Sequence, residues 1–215
     1  MHRLIGLLSC LIVMAGCATP DADRVRDYTQ DGIQLYRRGD YAAARESFQA
    51  ALQLRPGDAG LTYNVGQCYE RAGDTNRAEQ SYTACLQRDA DHVACHHALT
   101  MLLVREGRGT DAVRSVEAWL AHSPKLAAAH AEDAWLWHQS GDLPRAQSRL
   151  QEALLLDPRD WRALSELGLI YEEQQRPDRA LTLYEQSLQG NPDQPDVAKR
   201  LDDLRKKGVG RPKPD

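Results

Sequence analysis

The segment that decides the fold is WRALSELGLIYEEQQRPDRALTLYEQSLQGNPDQ, residues 161–194. Its small residues Gly168 and Ala180 allow two antiparallel helices to approach each other closely. Pro192 ends the second helix, because proline has no backbone N–H to donate. Large side chains fill the space between the helices: Leu164, Leu167, Tyr171 and Tyr184. The segment therefore predicts one helix pair.

The same pattern recurs through most of the chain with a period of 34 residues. Four prolines are separated by multiples of that period: Pro56, Pro124, Pro158 and Pro192. One alanine recurs in every period: Ala44, Ala78, Ala112, Ala146 and Ala180. The expected turns inside three of the pairs carry Gly-Asp: Gly39-Asp40, Gly73-Asp74 and Gly141-Asp142. A single helix pair cannot bury its apolar stripe, so neighbouring pairs are expected to stack.

This pattern resembles the tetratricopeptide repeat. The resemblance implies an all-α fold, a right-handed α-solenoid of five tandem helix pairs followed by a C-terminal capping helix. The expected units are 25–58, 59–92, 93–126, 127–160 and 161–194. The third unit matches the pattern least well, because Thr100 stands where the family usually has Gly or Ala.

The chain beyond the last unit predicts a capping helix and a tail. Residues 195–206 carry Val197, Leu201 and Leu204 at a spacing that forms one apolar stripe. Residues 207–215 are polar, and we expect them to be disordered.

The first residues have the composition of a secretory signal. Leu4–Ala15 is apolar but shorter than the ~20 residues that cross a bilayer. It follows a short basic start, as the h-region of a signal peptide does. The expected signal peptide is 1–16.

The end of this segment, Met14-Ala15-Gly16-Cys17, resembles the lipobox of bacterial lipoproteins. The resemblance implies a lipid on the Cys17 thiol, cleavage before it, and 17–24 as a lipidated N-terminus with a short linker. Ala18 in place of Asp implies a lipid anchor in the outer membrane, on its periplasmic face. A plain signal peptide with an incidental cysteine is the alternative interpretation.

Composition and motifs exclude several classes of function. The net charge of −4, the pI near 6.0 and the lack of a Lys/Arg-rich run give no reason to expect nucleic-acid binding. No nucleophile has a His and an acid at workable spacing, and there is no Gly-rich phosphate loop. We therefore expect no enzyme, no small-molecule substrate and no cofactor beyond the lipid. Histidines cluster around Cys95, but no carboxylate completes a set, so no metal site is expected: His92, His96 and His97.

The first helices of tetratricopeptide units line a concave face. At the family's lining positions this chain has Ile33, Tyr36, Arg37, Tyr63, Arg71, His97, Met101, Arg105, Trp135, His138 and Leu169. Position 9 is apolar in four units of five, where the fold itself needs no burial. Trp135 and Met101 are therefore predicted to hold an apolar peptide or helix from a protein partner. The alternative is a scatter of exposed apolar residues, which is common on protein surfaces.

Arginines recur at position 13 of three units, and an acidic end follows at Glu172-Glu173: Arg37, Arg71 and Arg105. This pattern is able to orient a ligand of uneven charge, but basic residues at position 13 are common in the family. The Lys and Asn with which chaperone-binding members clamp a C-terminal carboxylate are absent, which excludes that ligand.

Three cysteines remain after the expected processing. Cys85 and Cys95 flank a turn between antiparallel helices, and the periplasm is oxidising, so a disulfide is one interpretation. The other interpretation is that both, like Cys68, are small core residues.

A leader, a short linker and repeats alone form an architecture that resembles pilotin-type lipoproteins of type IV and Flp/Tad pilus systems. The resemblance implies a scaffold that binds an outer-membrane secretin and helps it to assemble. It rests on architecture and on no pilotin-specific motif. Two alternatives stay open: an adaptor that docks cell-wall enzymes, and a structural subunit of an envelope motility or secretion complex.

Overall fold

A computed structural model describes residues 20–210 of the chain. The expected signal peptide 1–16 and the lipidation site Cys17 lie outside these residues. The described part is all-α and contains the helices α1 Pro20–Arg37, α2 Tyr41–Leu54, α3 Ala59–Arg71, α4 Thr75–Arg88, α5 Val93–Arg105, α6 Gly109–His122, α7 Ala127–Gln139, α8 Leu143–Leu156, α9 Trp161–Glu173, α10 Pro177–Gly190 and α11 Pro195–Lys206. No helix within 20–210 is both long and apolar enough to cross a bilayer.

Helices α1 to α10 form antiparallel pairs that stack into a solenoid, as the repeat predicts. Each apolar cluster joins one pair to the next. For example, Leu167 of α9 packs with Ala146 and Leu150 of α8 in the preceding pair. The core is therefore a continuous strip along the stack, and no pair buries its apolar stripe alone.

Three units owe their close packing to a glycine that faces an aromatic ring. A Cβ atom on Gly66 would lie 2.6 Å from Cε1 of Tyr82, and a Cβ on Gly168 would lie 2.5 Å from Cε1 of Tyr184. The same arrangement joins Gly32 to Phe48 in the first unit. Only glycine permits these distances, because a methyl group would overlap the ring.

The third unit departs from this arrangement. Its residue at the glycine position is Thr100, which is completely buried, and Val116 stands where those three units have Phe or Tyr. Its helices α5 and α6 pack less closely than the two helices of any other unit. The N-cap residue of α6, Arg108, makes no side-chain capping hydrogen bond, whereas Asp74 caps the equivalent helix α4.

The N-terminal linker is shorter than expected. The sequence placed an extended linker at 17–24, but α1 begins at Pro20. Proline is favoured in the first turn of a helix, and Asp21 and Asp23 complement the positive helix end there. Residues 20–24 therefore rise ~1.5 Å each instead of the ~3.3 Å of an extended chain.

The C-terminal tail is also partly ordered. Helix α11 covers the end of the stack, with Leu201 and Leu204 packed against Tyr184. Beyond it, the N–H of Val209 donates to the carbonyl of Leu204 at 3.1 Å, and the Val209 side chain packs on the same cluster. The expected disordered tail 207–215 is therefore wrong for 207–210, and 211–215 lie outside the described residues.

Candidate functional site

A cavity of about 340 Å³ lies on the concave face of the solenoid. The first helices of four successive units contribute to it, and four of the predicted groove residues meet there: Tyr63, His97, Met101 and Trp135. Residues four apart on one helix lie on the same face, which is how α5 presents both His97 and Met101. Met101 is 42% exposed, so its thioether is available to a ligand.

A buried carboxylate lies beside these residues. Glu132 is only 4% exposed, and Nδ1 of His97 donates to its Oε2 at 2.9 Å. Burial lowers the pKa of His97, but the hydrogen bond and the charge of Glu132 outweigh it and leave that pKa raised. The ring of His97 also meets Trp135 edge to face, with centroids 5.9 Å apart. The pair therefore fixes a polar wall in an otherwise aromatic cavity.

The opposite wall carries a guanidinium group. Arg162 lies over the ring of Trp161, with its Cζ atom 4.1 Å from the ring centroid. Burial lowers the pKa of Arg162, and the negative charges of Asp160 and Glu132 partly offset this effect. The cavity thus offers one cationic donor, one buried carboxylate and the aromatic faces between them, which together suit a peptide with both polar and apolar side chains.

A second ion cluster borders the cavity at Glu166. Nδ1 of His138 lies 2.5 Å from Oε1 of Glu166, and its Nε2 lies 3.1 Å from Oε1 of Glu173. Both ring nitrogens can donate only when the imidazole is protonated. The hydrogen bond to Glu166 is the main reason that the pKa of His138 is raised.

The predicted residues of the first unit form a separate, smaller cavity of about 210 Å³, where Ile33, Tyr36 and Arg37 meet Gln67. The Tyr36 hydroxyl donates to Oε1 of Gln67 at 3.1 Å, and Nε2 of Gln67 donates to the Tyr63 hydroxyl at 2.6 Å. This hydrogen-bonded chain connects the small cavity to the main one.

Two of the three arginines at position 13 make contacts with other residues of the same chain. Arg71 lies over the ring of Tyr41, and Arg105 donates to Glu70 at 2.9 Å. At the acidic end, Glu172 accepts hydrogen bonds from Tyr184 and Arg200. These contacts connect adjacent helices, so the recurring arginines and the acidic end mostly stabilise the solenoid itself.

Two predicted groove residues are more buried than the pattern suggested. Trp135 packs partly against the core that includes Leu99 and Leu136. Leu169 packs against the cluster that α10 and α11 form, because α11 covers this end of the stack. The expectation that position 9 needs no burial is therefore wrong for these two residues and agrees with the exposure of Ile33 and Met101.

The structure joins Cys85 and Cys95 in a disulfide between α4 and α5, while Cys68 is a buried free thiol. A ligand atom of His92 lies within 4.8 Å of both sulfurs. However, Nδ1 of His92 accepts the N–H of Cys95 at 3.2 Å and caps α5. The three groups therefore have partners of their own without a metal ion.

The sequence analysis missed three charged residues of the concave cavity. Arg162 is the second residue of the fifth unit, and in the family this position lines the concave face, so the sequence analysis could have included it. Glu132 and Glu166 stand at position 6, which is outside the lining positions.

Comparison with known proteins fixes the family. The sequence model of the tetratricopeptide repeat matches residues 31–93 and 139–195, more than half of the chain. The chain belongs to the tetratricopeptide repeat family. Tetratricopeptide repeat proteins bind peptide or protein partners and are generally scaffolds without enzymatic activity, and the match indicates no catalytic family.

Among curated relatives, the chain is 30% identical over 168 residues to the cellulose synthase operon protein C of Xanthomonas axonopodis pv. citri, covering 74% of this chain and 11% of that protein. It is 30% identical over 111 residues to the photosystem I assembly protein Ycf3 of Prochlorococcus marinus, covering 50% of this chain and 64% of that protein. The chain thus spans less than two thirds of either relative's length.

Solved tetratricopeptide structures share the fold. A thermophilic protein of Thermus thermophilus superposes with a TM-score of 0.64 at 23% identity, over 84% of this chain and 98% of that one. PilF of Pseudomonas aeruginosa superposes with a TM-score of 0.56 at 15% identity, over 87% of this chain and 86% of that one. At these identities the likeness shows the fold alone.

Proposed function

We propose that this chain is a lipid-anchored assembly scaffold that holds a segment of a partner protein in its concave cavity. The observation that carries the proposal is the meeting of Tyr63, His97, Met101 and Trp135 in one cavity. An exposed thioether and aromatic faces bind apolar side chains, while Arg162 and Glu132 orient the segment by its polar groups.

The anchor is the Cys17 thiol. A lipid there, with Ala18 behind it, directs the protein to the periplasmic face of the outer membrane. Two or three acyl chains hold a protein durably on a bilayer, at ~0.8 kcal/mol per buried CH₂. Because α1 begins at Pro20, only two residues separate this cysteine from the first helix. The solenoid is therefore held next to the membrane surface.

The partner we propose is an outer-membrane secretin, which the scaffold helps to assemble in the manner of a pilotin. The resemblance to pilotin-type lipoproteins supports this choice through the shared leader, linker and repeats. The similarity to Ycf3, which is named as an assembly protein, supports the broader role in assembly.

The first experiment tests the cavity. Met101→Lys places a charge where the apolar side chain of the partner binds, and we expect the amount of secretin multimer in the outer membrane of the source bacterium to fall to that of a deletion strain. Leu155→Lys is the matched control, since Leu155 is an 83% exposed leucine outside the cavity. Equal multimer levels in the two variants would contradict the proposal.

The second experiment tests the anchor. Cys17→Ala removes the acceptor of the lipid, and we expect the protein to move from the membrane fraction to the soluble periplasmic fraction. Cys68→Ala is the control, because this buried thiol is outside the leader. Unchanged membrane partitioning of the Cys17 variant would rule out a lipid at this residue.

The deletion strain separates the partners. If it changed cell shape without losing secretin multimers, a partner among cell-wall enzymes would be favoured instead.

A further inference from the structure

A second groove, with a volume of about 590 Å³, lies between α6 and α7, where the third unit meets the fourth. It shares no lining residue with the concave cavity. Its walls are largely apolar and include Val104, Val113, Leu136 and Trp137. Val113 is 39% exposed on the α6 side, so the groove is open to a partner.

The groove is lined in part by Asp133, which stands where other units carry a buried apolar residue. At the same position of other units, the chain has Val65, Leu99 and Leu167, which are buried and pack against the preceding unit. The first unit has no preceding unit, and its Asp31 is exposed and hydrogen-bonded to Ser47. Among the internal junctions of the described units, only that of the fourth unit has a carboxylate at this position, and its side chain is smaller than that of leucine.

The Asp133 carboxylate is poorly neutralised by its own protein. The residue is 7% exposed, and its Oδ2 lies 2.8 Å from Nε of Arg149. That arginine is shared, because its Nη1 atom also lies 2.8 Å from Glu152. Burial raises the pKa of Asp133, and the opposing effects of Arg149 and Trp137 do not cancel it. An additional cation at this carboxylate would therefore be stabilising.

Two other charged side chains line the groove, one acidic and one basic. Glu117 lies on its wall with no basic partner among the described ion pairs. Arg114 also lies there, but it is paired with Asp111 at 3.1 Å. The groove consequently combines apolar walls with an excess of negative charge, and a segment that carried a carboxylate would meet repulsion from two acids.

We propose that this groove docks a segment of a partner protein in which a lysine or arginine stands next to one or two large apolar side chains. The apolar side chains pack on Val113 and Leu136, and the cation approaches Asp133 and Glu117. The surface is separate from the concave cavity, so the scaffold is able to hold two segments at the same time.

The experiment selects a phage-displayed dodecapeptide library on the immobilised mature chain. We expect the enriched peptides to carry Lys or Arg beside a large apolar residue. A synthetic copy of an enriched peptide should bind about tenfold or more weakly to Asp133→Leu. Asp133→Leu should fold at least as well as the wild type, because leucine is the residue that the repeat places there.

Two further variants separate docking from folding and from the concave site. Val113→Lys adds a like charge at an exposed position, and it should weaken peptide binding without changing the melting temperature. Met101→Lys alters only the concave cavity and should leave this binding unchanged. Enrichment of acidic or purely apolar peptides would overturn the proposal. So would binding to Asp133→Leu and Val113→Lys as tight as to the wild type, or the same enrichment of peptides on the Asp133→Leu protein as on the wild type.

Discussion

The third and fourth units, at the centre of the stack, share the sequence register of the flanking units but differ from them in packing. In the second and fifth units a glycine receives an aromatic ring, as Gly66 receives Tyr82. In the third unit Thr100 and Val116 stand at these two positions, and the fourth unit has Asp133 at the position of the junction leucine. The two helices of the third unit are thus the least closely packed, and the junction between the third and fourth units retains open and charged space.

Both of the proposed binding surfaces involve the third and fourth units. The groove at Asp133 lies between the third and fourth units, and the concave cavity is lined by residues from the second to the fifth, with His97, Met101 and Trp135 from the middle two. The flanking units hold the curvature that brings Tyr63 and Arg162 into one cavity. In a solenoid, where stability is a sum over neighbouring units, the centre is able to differ locally because the flanks supply compensating packing energy.

The largest expected effect comes from imposing the central junction on a flanking one. Leu167→Asp removes a buried leucine and leaves a carboxylate without the partner that Asp133 has, because the residue equivalent to Arg149 in the fifth unit is Leu183. We expect the free energy of unfolding to fall by about 4 kcal/mol. Urea denaturation measures it. A loss no larger than that of Leu155→Asp, an exposed control, would show that the two junctions do not differ as described.

The next effect concerns the disulfide that ties the centre to the second unit. Replacing both Cys85 and Cys95 by Ala should lower the free energy of unfolding by about 3 kcal/mol, because the bond no longer restricts the unfolded chain. Wild-type protein in reducing agent should show a similar loss, while the double variant should not respond to the reductant. A double variant as stable as the oxidised wild type would mean that the central unit does not depend on this bond.

A smaller effect tests the close packing of the flanks. In Gly66→Ala the new methyl group would lie 2.6 Å from the Tyr82 ring, and we expect a loss of about 2 kcal/mol from overpacking. Gly109→Ala is the matched control at the start of α6, where a methyl group meets no atom within 4 Å. Thermal melts of both variants provide the measurement. If the two variants melted together, the glycine–tyrosine contact would not limit the helix approach.

The smallest effect is a pH dependence from the centre. The raised pKa of His138 means that the folded protein binds its proton more tightly than the unfolded chain does, whose histidines titrate near ~6.5. Its contribution to stability is therefore full below that pH and is lost as the pH rises through the folded value. His138→Gln should flatten this part of the pH profile, whereas His122→Gln, at an exposed residue of α6, should not. A profile that kept its slope in His138→Gln would assign the proton to another group.

The repeat register was accessible from the sequence because one local rule recurs. Alanine and proline positions such as Ala146 and Pro158 repeat at a fixed interval, and the bounds of the five units follow from them. The groove residues at the lining positions were also accessible, since Met101 needs only its place on one helix. The periodicity gave the units, and the resemblance of the repeated pattern to the tetratricopeptide repeat implied the family and the fold.

The remaining features depend on contacts between units. The distance between Tyr63 and Arg162 depends on how the units are oriented at three successive junctions, and no single repeat determines it. The burial of Trp135 depends on its neighbours in the adjacent unit. Asp133 was visible as a departure from the pattern, but its shared arginine and its groove appear only when α6, α7 and α8 are assembled.

The most direct test of the central claim is site-specific photo-crosslinking in living cells. A photoreactive amino acid at Met101 should form an adduct with an outer-membrane protein, identified by mass spectrometry, and we expect a secretin. The same amino acid at Leu155, which is more exposed but lies outside the cavity, should give no such adduct. An adduct at Leu155 alone, or at neither position, would contradict the claim that the concave cavity holds the partner.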